Sequence, residues 1–529
     1  QAEDGIRDLV RSRGLGDVYK RQNMSNKYFT TPIYYVNDKP HIGHAYTSIA
    51  VDILKRFYKC RGLNSYFLTG TDEHGQKVEK AALEKNIDPQ QFTDTVSENF
   101  RDLSSLLNLS NDDFIRTTED RHKKSVQNLW KVLLEKNEIY LSKYSGWYSV
   151  RDEAFVADNE IIEKDGKKYN GFGSELSWVE EESYFFRLSK WQNKLLDFYK
   201  NNPDFIVPKS RSNEVIKFVE SGLKDLSVSR TTFKWGIDVP TDEKHIVYVW
   251  LDALTNYISA LEYPNTDSEL YQKYWPGIHV VGKDIIRFHA IFWPAFLMAA
   301  DLDPPKQIVA HGWWTNEGQK ISKSLGNVID PKELIDIYGL DSVRYFLFRE
   351  VPFGNDGDFS KVAIKNRING ELANNYGNLI QRILSFIYKN LDQNIDLTID
   401  NFDFDILKKI NESEKRLFEF MENYKYDEYL KTLFLFMNDL NNYVDKSAPW
   451  VLKKTDPEEM KRVLANICLC IIRVSQFLVP FMPSKTSEVF SLFENTNNID
   501  LNTFDNFKEI INLKFLKILK PEPLFIKIV

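Results

Sequence analysis

YFTTPIYYVNDKPHIGHAYTSIAVDILKRFYKCRG, residues 28–62, is the stretch on which the fold turns. Its first part is rich in Thr, Ile, Tyr and Phe, the composition of a buried strand. Asn37, Asp38 and Pro40 break that strand. After them Ala45, Ile49, Ile53, Leu54 and Phe57 recur at helical spacing up to Gly62, a C-terminal stop. His41 and His44 therefore fall at the mouth of a helix that follows a strand, on one face. Gly43 between them removes a side chain where a ligand could approach the backbone. A helix N-terminus offers unpaired N–H groups and a positive dipole end, which attract phosphate, and imidazoles there can donate to phosphoryl oxygens. Two other readings stay open at this point. The pair could bind zinc, with His74 of TDEHG as a third ligand, or it could simply cap and solvate a helix start.

The surrounding composition sets bounds. A chain of 529 residues should hold several domains, and 43% hydrophobic with 27% charged residues is an ordinary globular balance. A formal net charge of −7 means that a nucleic-acid partner must meet local basic patches rather than a global positive field. Cys60, Cys468 and Cys470 are the only cysteines, which fits a reducing compartment and excludes a disulfide framework. Cys468 and Cys470 lie two apart in an apolar helical run and read as core. RFHAIFWPAFLMAA is interrupted by Arg287, His289 and Pro294, so no segment spans a bilayer, and a soluble, cytoplasmic protein is expected. Residues 1–22 mix Arg with Asp and Glu and lack the apolar segment of a secretory signal. RSRGLGDVYKRQ resembles translated sequencing-adaptor read-through, so Met24 is read as the natural start and residues 1–23 are set aside.

Beyond residue 62, NSYFLTGTDEHGQKVEKAALEKN reads as a second buried strand, a Gly-containing turn and a helix. Strand, helix, strand, helix at this spacing predicts a parallel sheet with covering helices. Asp72 and Glu73 then sit at the carboxyl end of a strand, the ligand-binding edge of such sheets. A carboxylate there suits an ammonium or a ribose hydroxyl; alternatively Thr71 or Asp72 caps the next helix. From about Leu129 short strands and loops read as an insertion. It contains no cysteine, so a thiolate zinc site cannot form there. The parallel pattern is expected to resume with HIVYVWLDALTNYISAL, and IHVVGKDIIRFHAIFWPAFLMAA reads as strand, GKD turn and helix. His289 in that helix is by itself most simply a hydrogen-bonded core residue, yet with Trp250 and Tyr257 it could line an aromatic pocket. Such a pocket suits an unbranched thioether. After the strand QIVAHGWW, Lys320, Ser322, Lys323 and Ser324 lie in a Gly-flanked loop before a helix starting near Pro331. A lysine point charge with hydroxyls suits a triphosphate whose charge moves during reaction.

With HIGH and KISKS in this order on a parallel-sheet domain, the chain resembles the class I aminoacyl-tRNA synthetases, and within them the methionyl-tRNA synthetase family. The match covers nearly everything after Met24 and is carried by TTPIYYVNDKPHIGHAYT, LTGTDEHGQKV, YVWLDALTNY, GKDIIRFHAIFWPA, KISKS, ANNYGNLIQR and SAPW. The resemblance implies methionine activation with ATP to methionyl-adenylate, then transfer to the 3′ adenosine of tRNA(Met), initiator tRNA included. His41, Gly43, His44 and Lys323 would bind ATP, with His41, His44, Lys320 and Lys323 catalytic and Gly282 and Asp284 meeting the ribose. Ile33, Tyr35, Asp72, Trp250, Ala253, Tyr257, Ile285 and His289 would form the methionine pocket, Asp72 answering the amino group. Leu254 stands where some relatives carry proline, and KISKS replaces the commoner KMSKS by one apolar swap. The missing knuckle cysteines place the resemblance with the zinc-free branch; Mg2+ is expected only with ATP.

From Ile364 onward repeated amphipathic runs with short connections read as a helical bundle. The resemblance makes it an anticodon-binding domain, with Asn378, Arg382 and Trp450 at the anticodon. Unstacked bases are read by polar edges and aromatic stacking, which favours that role for Trp450, with a core tryptophan before a helix as the alternative. The expected fold class is thus a Rossmann-like α/β catalytic domain with an inserted α+β connective domain, followed by an all-α bundle. The expected segments are 24–128 and 241–325 for the catalytic halves, 129–240 for the insertion, 326–375 for a stem-contact linker and 376–529 for the bundle. Without a C-terminal dimerising tail, a monomer is expected. The competing readings are another class I synthetase, for cysteine or a branched-chain amino acid, and a silent tRNA-binding paralogue.

Overall fold

A computed structural model describes residues 26–529, apart from 37–38, 152–153, 157, 322–325 and 399–403. The opening stretch forms two strands, β1 (Lys27–Thr30) and β2 (Tyr34–Tyr35), parted at Pro32, which has no N–H for a ladder. Helix α1 (Ile42–Cys60) crosses to β3 (Ser65–Asp72), and β4 (Asp113–Arg116), β5 (Ile206–Val207), β6 (Ile278–Gly282) and β7 (Gln307–His311) complete the sheet. The order is β5-β7-β6-β1-β3-β2, with β4 also on β3, and every pairing is parallel. Alternation along the strands feeds two cores: Phe29 and Phe67 face one shared with α1 and the helical half, Tyr28 and Leu68 the other. The carboxyl ends Thr30, Asp72, Gly282 and His311 are the edge at which an open parallel sheet binds ligands.

Three expectations about organisation change. Leu129 lies inside helix α2 (Asp120–Glu135), so the antiparallel architecture starts only at Ile139. There Ile139–Ser149 pairs with Leu176–Phe186 along its whole length. Within the span 129–240, Ile206–Val207 returns to the main sheet as β5; a two-residue strand is too short to leave a period-2 signal. Conversely, the strand before helix α3 (Val249–Ser259) does not resume the parallel pattern. Asp242–Val247 pairs antiparallel with Ser229–Arg230 and Asp238–Val239 in a separate small sheet. An apolar run identifies a buried strand but says nothing of its neighbours.

The segment carrying His289 is also less regular than one helix. A 3-10 turn (Lys283–Ile285) leads to a π-helical turn (Phe288–Phe292) and then an α-helix from Trp293. Pro294 is the cause: it cannot donate to the carbonyl four residues back, and Ala290 O accepts from the Tyr199 hydroxyl instead, at 2.6 Å.

The helical half begins with α4 (Leu340–Arg349), and one unbroken helix then runs from Lys361 through a π-helical stretch (Ile368–Gly377) into α5 (Asn378–Asn390). The boundary expected at 375 falls within it. Helices α6 (Tyr426–Ser447), α7 (Pro449–Thr455) and α8 (Pro457–Leu478) follow, α8 buried over most of its length with Cys468 and Cys470 in the core. The two halves are joined by a buried ion pair. Arg344 donates to Asp52 of α1 at 2.7 Å, and to the carbonyls of Leu107, Pro480 and Phe481. Among the described residues no helix is long and apolar enough to cross a membrane.

Candidate functional site

The site begins at the start of α1. His41 is the N-cap in extended conformation, and its Nδ1 accepts from Gly43 N–H at 3.1 Å. His41 N–H in turn donates to His44 Nδ1 at 3.0 Å, a reciprocal cap built from two histidines. A backbone N–H can only donate, so both Nδ1 atoms are bare acceptors and each neutral ring carries its proton on Nε2. Burial holds both pKa values below the ordinary histidine range, His44 further by proximity to His41, while Asp284 partly opposes the shift at His41. The rings are thus neutral Nε2–H donors at the positive end of a 19-residue helix with no acidic residue in its first turn. Capping and donating coexist on opposite ring nitrogens. A Cβ at Gly43 would stand 2.9 Å from His41 Cε1, so glycine lets the ring keep its place in the cap.

Gly282 ends β6, and a Cβ on it would sit 2.5 Å from Asp284 Oδ1. Asp284 is exposed, and its one side-chain hydrogen bond among the described residues comes from Trp313 Nε1, 3.1 Å away. Lys320 closes the strand Gln319–Lys320 and is exposed; Lys323, with Ser322 and Ser324, lies outside the described residues. His311, which sequence reasoning passed over, ties this edge together. Its Nδ1 donates to Gly312 O at 2.8 Å and its Nε2 meets Thr47 Oγ1 of α1 at 2.7 Å. Its signal was its place at the end of an apolar strand.

The residues expected to line an amino-acid pocket gather mainly on α3 and the irregular segment after β6. His289 is 1% exposed, with both ring nitrogens engaged. Nδ1 donates to Ile285 O at 2.9 Å, so Nε2 is the acceptor and the Tyr257 hydroxyl donates to it at 2.7 Å. Burial lowers the His289 pKa to about 4, leaving the pocket wall neutral. Trp250 stacks flat on Phe288, centroids 3.6 Å apart, and meets His289 edge-on at 6.3 Å. Ile33 and Ile285 pack with Trp250 against the same core, and Ala253 is buried on α3. Tyr35 stands opposite Asp72 in the β2–β3 register, but packs with Tyr34 and Trp235 in a third, smaller core. Phe288 and His279 were not anticipated. His279 stacks on Tyr257 at 3.9 Å; its Nε2 accepts from Trp293 at 3.3 Å and its Nδ1 meets Thr30 at 2.8 Å.

Behind the pocket, the other polar residues of TDEHG are spoken for. Glu73 receives Arg116 on both oxygens, and also Thr71 and Thr118; the next helix is capped at Gly75 without a side chain, so neither Thr71 nor Asp72 caps it. His74 Nδ1 meets the fully buried Asp252 at 2.6 Å, and His122 Nε2 meets its other oxygen at 2.7 Å. Burial alone would raise the Asp252 pKa; His74 and His122 hold it below the usual value. Among the described residues, no group of three or more His, Cys, Asp or Glu could hold a metal ion.

On the helical half, Asn378 is exposed at the start of α5 and Arg382 lies one turn on. Arg382 pairs with Asp445 at 3.2 Å, and its guanidinium carbon is 5.6 Å from the Trp450 ring. Trp450 is 41% exposed and so is no core residue. Two residues before it, Ala448, with a left-handed backbone (φ 40°), ends α6 and starts α7.

A family model described as tRNA synthetases class I (M) matches residues 27–384, and one described as the anticodon-binding domain of tRNA ligase matches residues 403–520. A methionine–tRNA ligase of Rickettsia felis is 56% identical over 473 residues, 88% of this chain and 92% of that protein. One from Brucella suis is 50% identical over 469 residues, 88% of this chain and 91% of that protein. The structure superposes with a TM-score of 0.90 on Mycobacterium tuberculosis methionyl-tRNA synthetase in complex with methionyl-adenylate, at 41% identity over 95% of this chain and 99% of that one. A parallel sheet ending in a two-histidine helix cap and a neutral aromatic pocket, with these matches over nearly its whole length, means that the chain belongs to the methionyl-tRNA synthetase family of class I tRNA synthetases.

Proposed function

We infer that the chain is a methionine–tRNA ligase, and we propose how its residues divide the work. Methionine's carboxylate, already ionised at neutral pH, attacks the α-phosphorus of ATP; the new P–O bond forms as the α–β bridge breaks and diphosphate leaves. No general base is needed, so catalysis rests on alignment and on stabilising phosphoryl charge. The observation that carries this reading is the pair of Nε2–H donors at the start of α1, which are neutral and fixed in tautomer by their Nδ1 contacts. They bind phosphoryl oxygens by position, with the helix end adding its dipole. Asp284 and Gly282 hold the ribose, and Lys320 and Lys323 meet the leaving charge. The thioether lies among Trp250, Ala253, Tyr257, Ile285, Ile33 and His289, with Tyr35 and Asp72 at the ammonium end. A hydroxyl of the terminal adenosine of tRNA then attacks the acyl carbon and AMP departs.

The finer assignments are part of the same proposal. The tRNA is tRNA(Met), including the initiator, read at its anticodon by Asn378, Arg382 and Trp450. Mg2+ enters with ATP as part of the substrate. The insertion works without a thiolate zinc site, since no cysteine lies between Cys60 and Cys468. The enzyme is monomeric and cytoplasmic. Methionine-dependent ATP–pyrophosphate exchange is the test, with Lys323→Ala alongside. Exchange should be stimulated by methionine above all other amino acids, and Lys323→Ala should lower kcat by roughly 10²–10³. Stimulation by another amino acid, or none, overturns the substrate; an unchanged kcat removes Lys323.

A further inference from the structure

We propose that Trp313 is a positioning residue of the adenylation site, fixing the Asp284 carboxylate and the first lysine of the KISKS strand in one arrangement. The inference rests on the assignment of Asp284 to the ribose. Trp313 and Trp314 are adjacent, yet they do opposite things. Trp314 is 7% exposed and packs on Tyr46 and Phe346, whereas Trp313 is 38% exposed on the rim. A rim tryptophan with no core to fill is explained by what it holds.

Its main chain is pinned on both sides. Trp313 N–H donates to Asp356 Oδ1 at 2.8 Å, and its carbonyl accepts from Gly357 N–H at 2.8 Å. The ring is therefore presented at a set place. Its edge gives Nε1–H to Asp284 Oδ1 at 3.1 Å. Its face carries Lys283 Nζ at 4.2 Å and Lys320 Nζ at 5.8 Å from the centroid, a cation–π arrangement on an electron-rich ring. Lys283 is at the same time held by both oxygens of Asp356, at 2.7 and 2.6 Å.

The need for such a holder follows from the charges. Asp284 is exposed and shares Trp313 with two lysines, and a carboxylate and an ammonium that meet form a strong charge-assisted hydrogen bond. Indole Nε1 is a donor only and carries no charge, so it fixes one oxygen without neutralising the group. The lysines, drawn to the ring face, are kept off the carboxylate. Asp284 also bears electrostatically on His41, so its orientation matters to the phosphate donors as well.

Three variants of the full-length chain test this in methionine-dependent ATP–pyrophosphate exchange, with ATP and methionine varied separately. Trp313→Phe keeps the ring face and removes the N–H; Trp313→Leu removes both; Asp284→Ala is the reference. Trp313→Phe should raise KM for ATP about three- to tenfold, the typical net loss of one hydrogen bond at a solvent-exposed carboxylate, with methionine KM and kcat changed less than about twofold. Trp313→Leu should add a fall in kcat, because Lys320 loses its seat. If Asp284→Ala leaves ATP KM unchanged, the ribose assignment fails and takes the inference with it. If Asp284→Ala raises ATP KM while Trp313→Phe does not, the ribose assignment stands and the role of Trp313 is overturned. Equal effects of Trp313→Phe on both KM values, or a lowered melting temperature in that variant, would make the residue merely structural and also overturn it.

Discussion

Acidification should separate His289 from an ordinary histidine, and the structure sets the size of the effect. Both ring nitrogens are engaged, Nδ1–H on Ile285 O and Nε2 accepting from Tyr257, and burial lowers the pKa to about 4. At pH 5 such a group is only about 10% protonated, whereas a free histidine near 6.5 would be about 97% protonated. Methionine KM should therefore stay flat from pH 8 to about 5 and rise only near 4. Stability behaves differently. The folded pKa lies below the unfolded one, so as pH falls the unfolded chain takes up the proton first. The contribution is complete above about pH 7, is lost between about 6.5 and about 4, and has a ceiling of about 3 kcal/mol, of which more than half is gone by pH 5. His41, His44, His279 and His311, also lowered by burial, deepen the same slope. Exchange kinetics across pH 5–8 at constant ionic strength, with urea melts in the same buffers, measure both. Tyr257→Phe strips the donor from Nε2, so protonation there no longer breaks a hydrogen bond and the titration should move upward. A wild-type methionine KM that rises with a midpoint near 6.5, or melts that do not change between pH 8 and 5, would refute the reasoning.

Other outcomes follow from single contacts. Gly43→Ala puts a Cβ 2.9 Å from His41 Cε1 and 3.1 Å from Nδ1, so the ring must leave the cap. ATP KM should rise and melts should show a loss of about 1 kcal/mol; an ATP KM equal to wild type refutes the two-histidine geometry. Arg344→Met leaves three carbonyls and the Asp52 carboxylate without their guanidinium, which should cost roughly 3–5 kcal/mol, since neither partner has exposed side-chain surface. Asp52 keeps Arg56 and Ser110, so the double variant with Asp52→Asn should be milder than the sum by at least about 1 kcal/mol, and strict additivity in a denaturation cycle would count against a shared hub. Trp450→Ala should raise the tRNA KM about five- to a hundredfold, one stacked base, while methionine-dependent exchange without tRNA is unaffected. Unaltered aminoacylation would remove Trp450 from recognition.

What could be read without the fold is whatever local chemistry encodes. The strand–turn–helix around HIGH, the helix after KISKS, the bundle periodicity and the lack of knuckle cysteines are properties of contiguous residues, and so are the motifs that mark the family. Three-dimensional packing decided the rest. Nothing local told that Asp242–Val247 leaves the parallel sheet while Ile206–Val207 joins it, because strand neighbours are chosen across the chain. That Asp252, 178 residues on, holds His74 is likewise visible only in the fold. The nitrogen that carries the proton in each HIGH histidine also depends on which backbone N–H the other nitrogen meets. Composition and spacing place a side chain on an element; its tautomer, charge and partner are set by burial and by hydrogen bonds that reach, as between Asp52 and Arg344, across 292 residues.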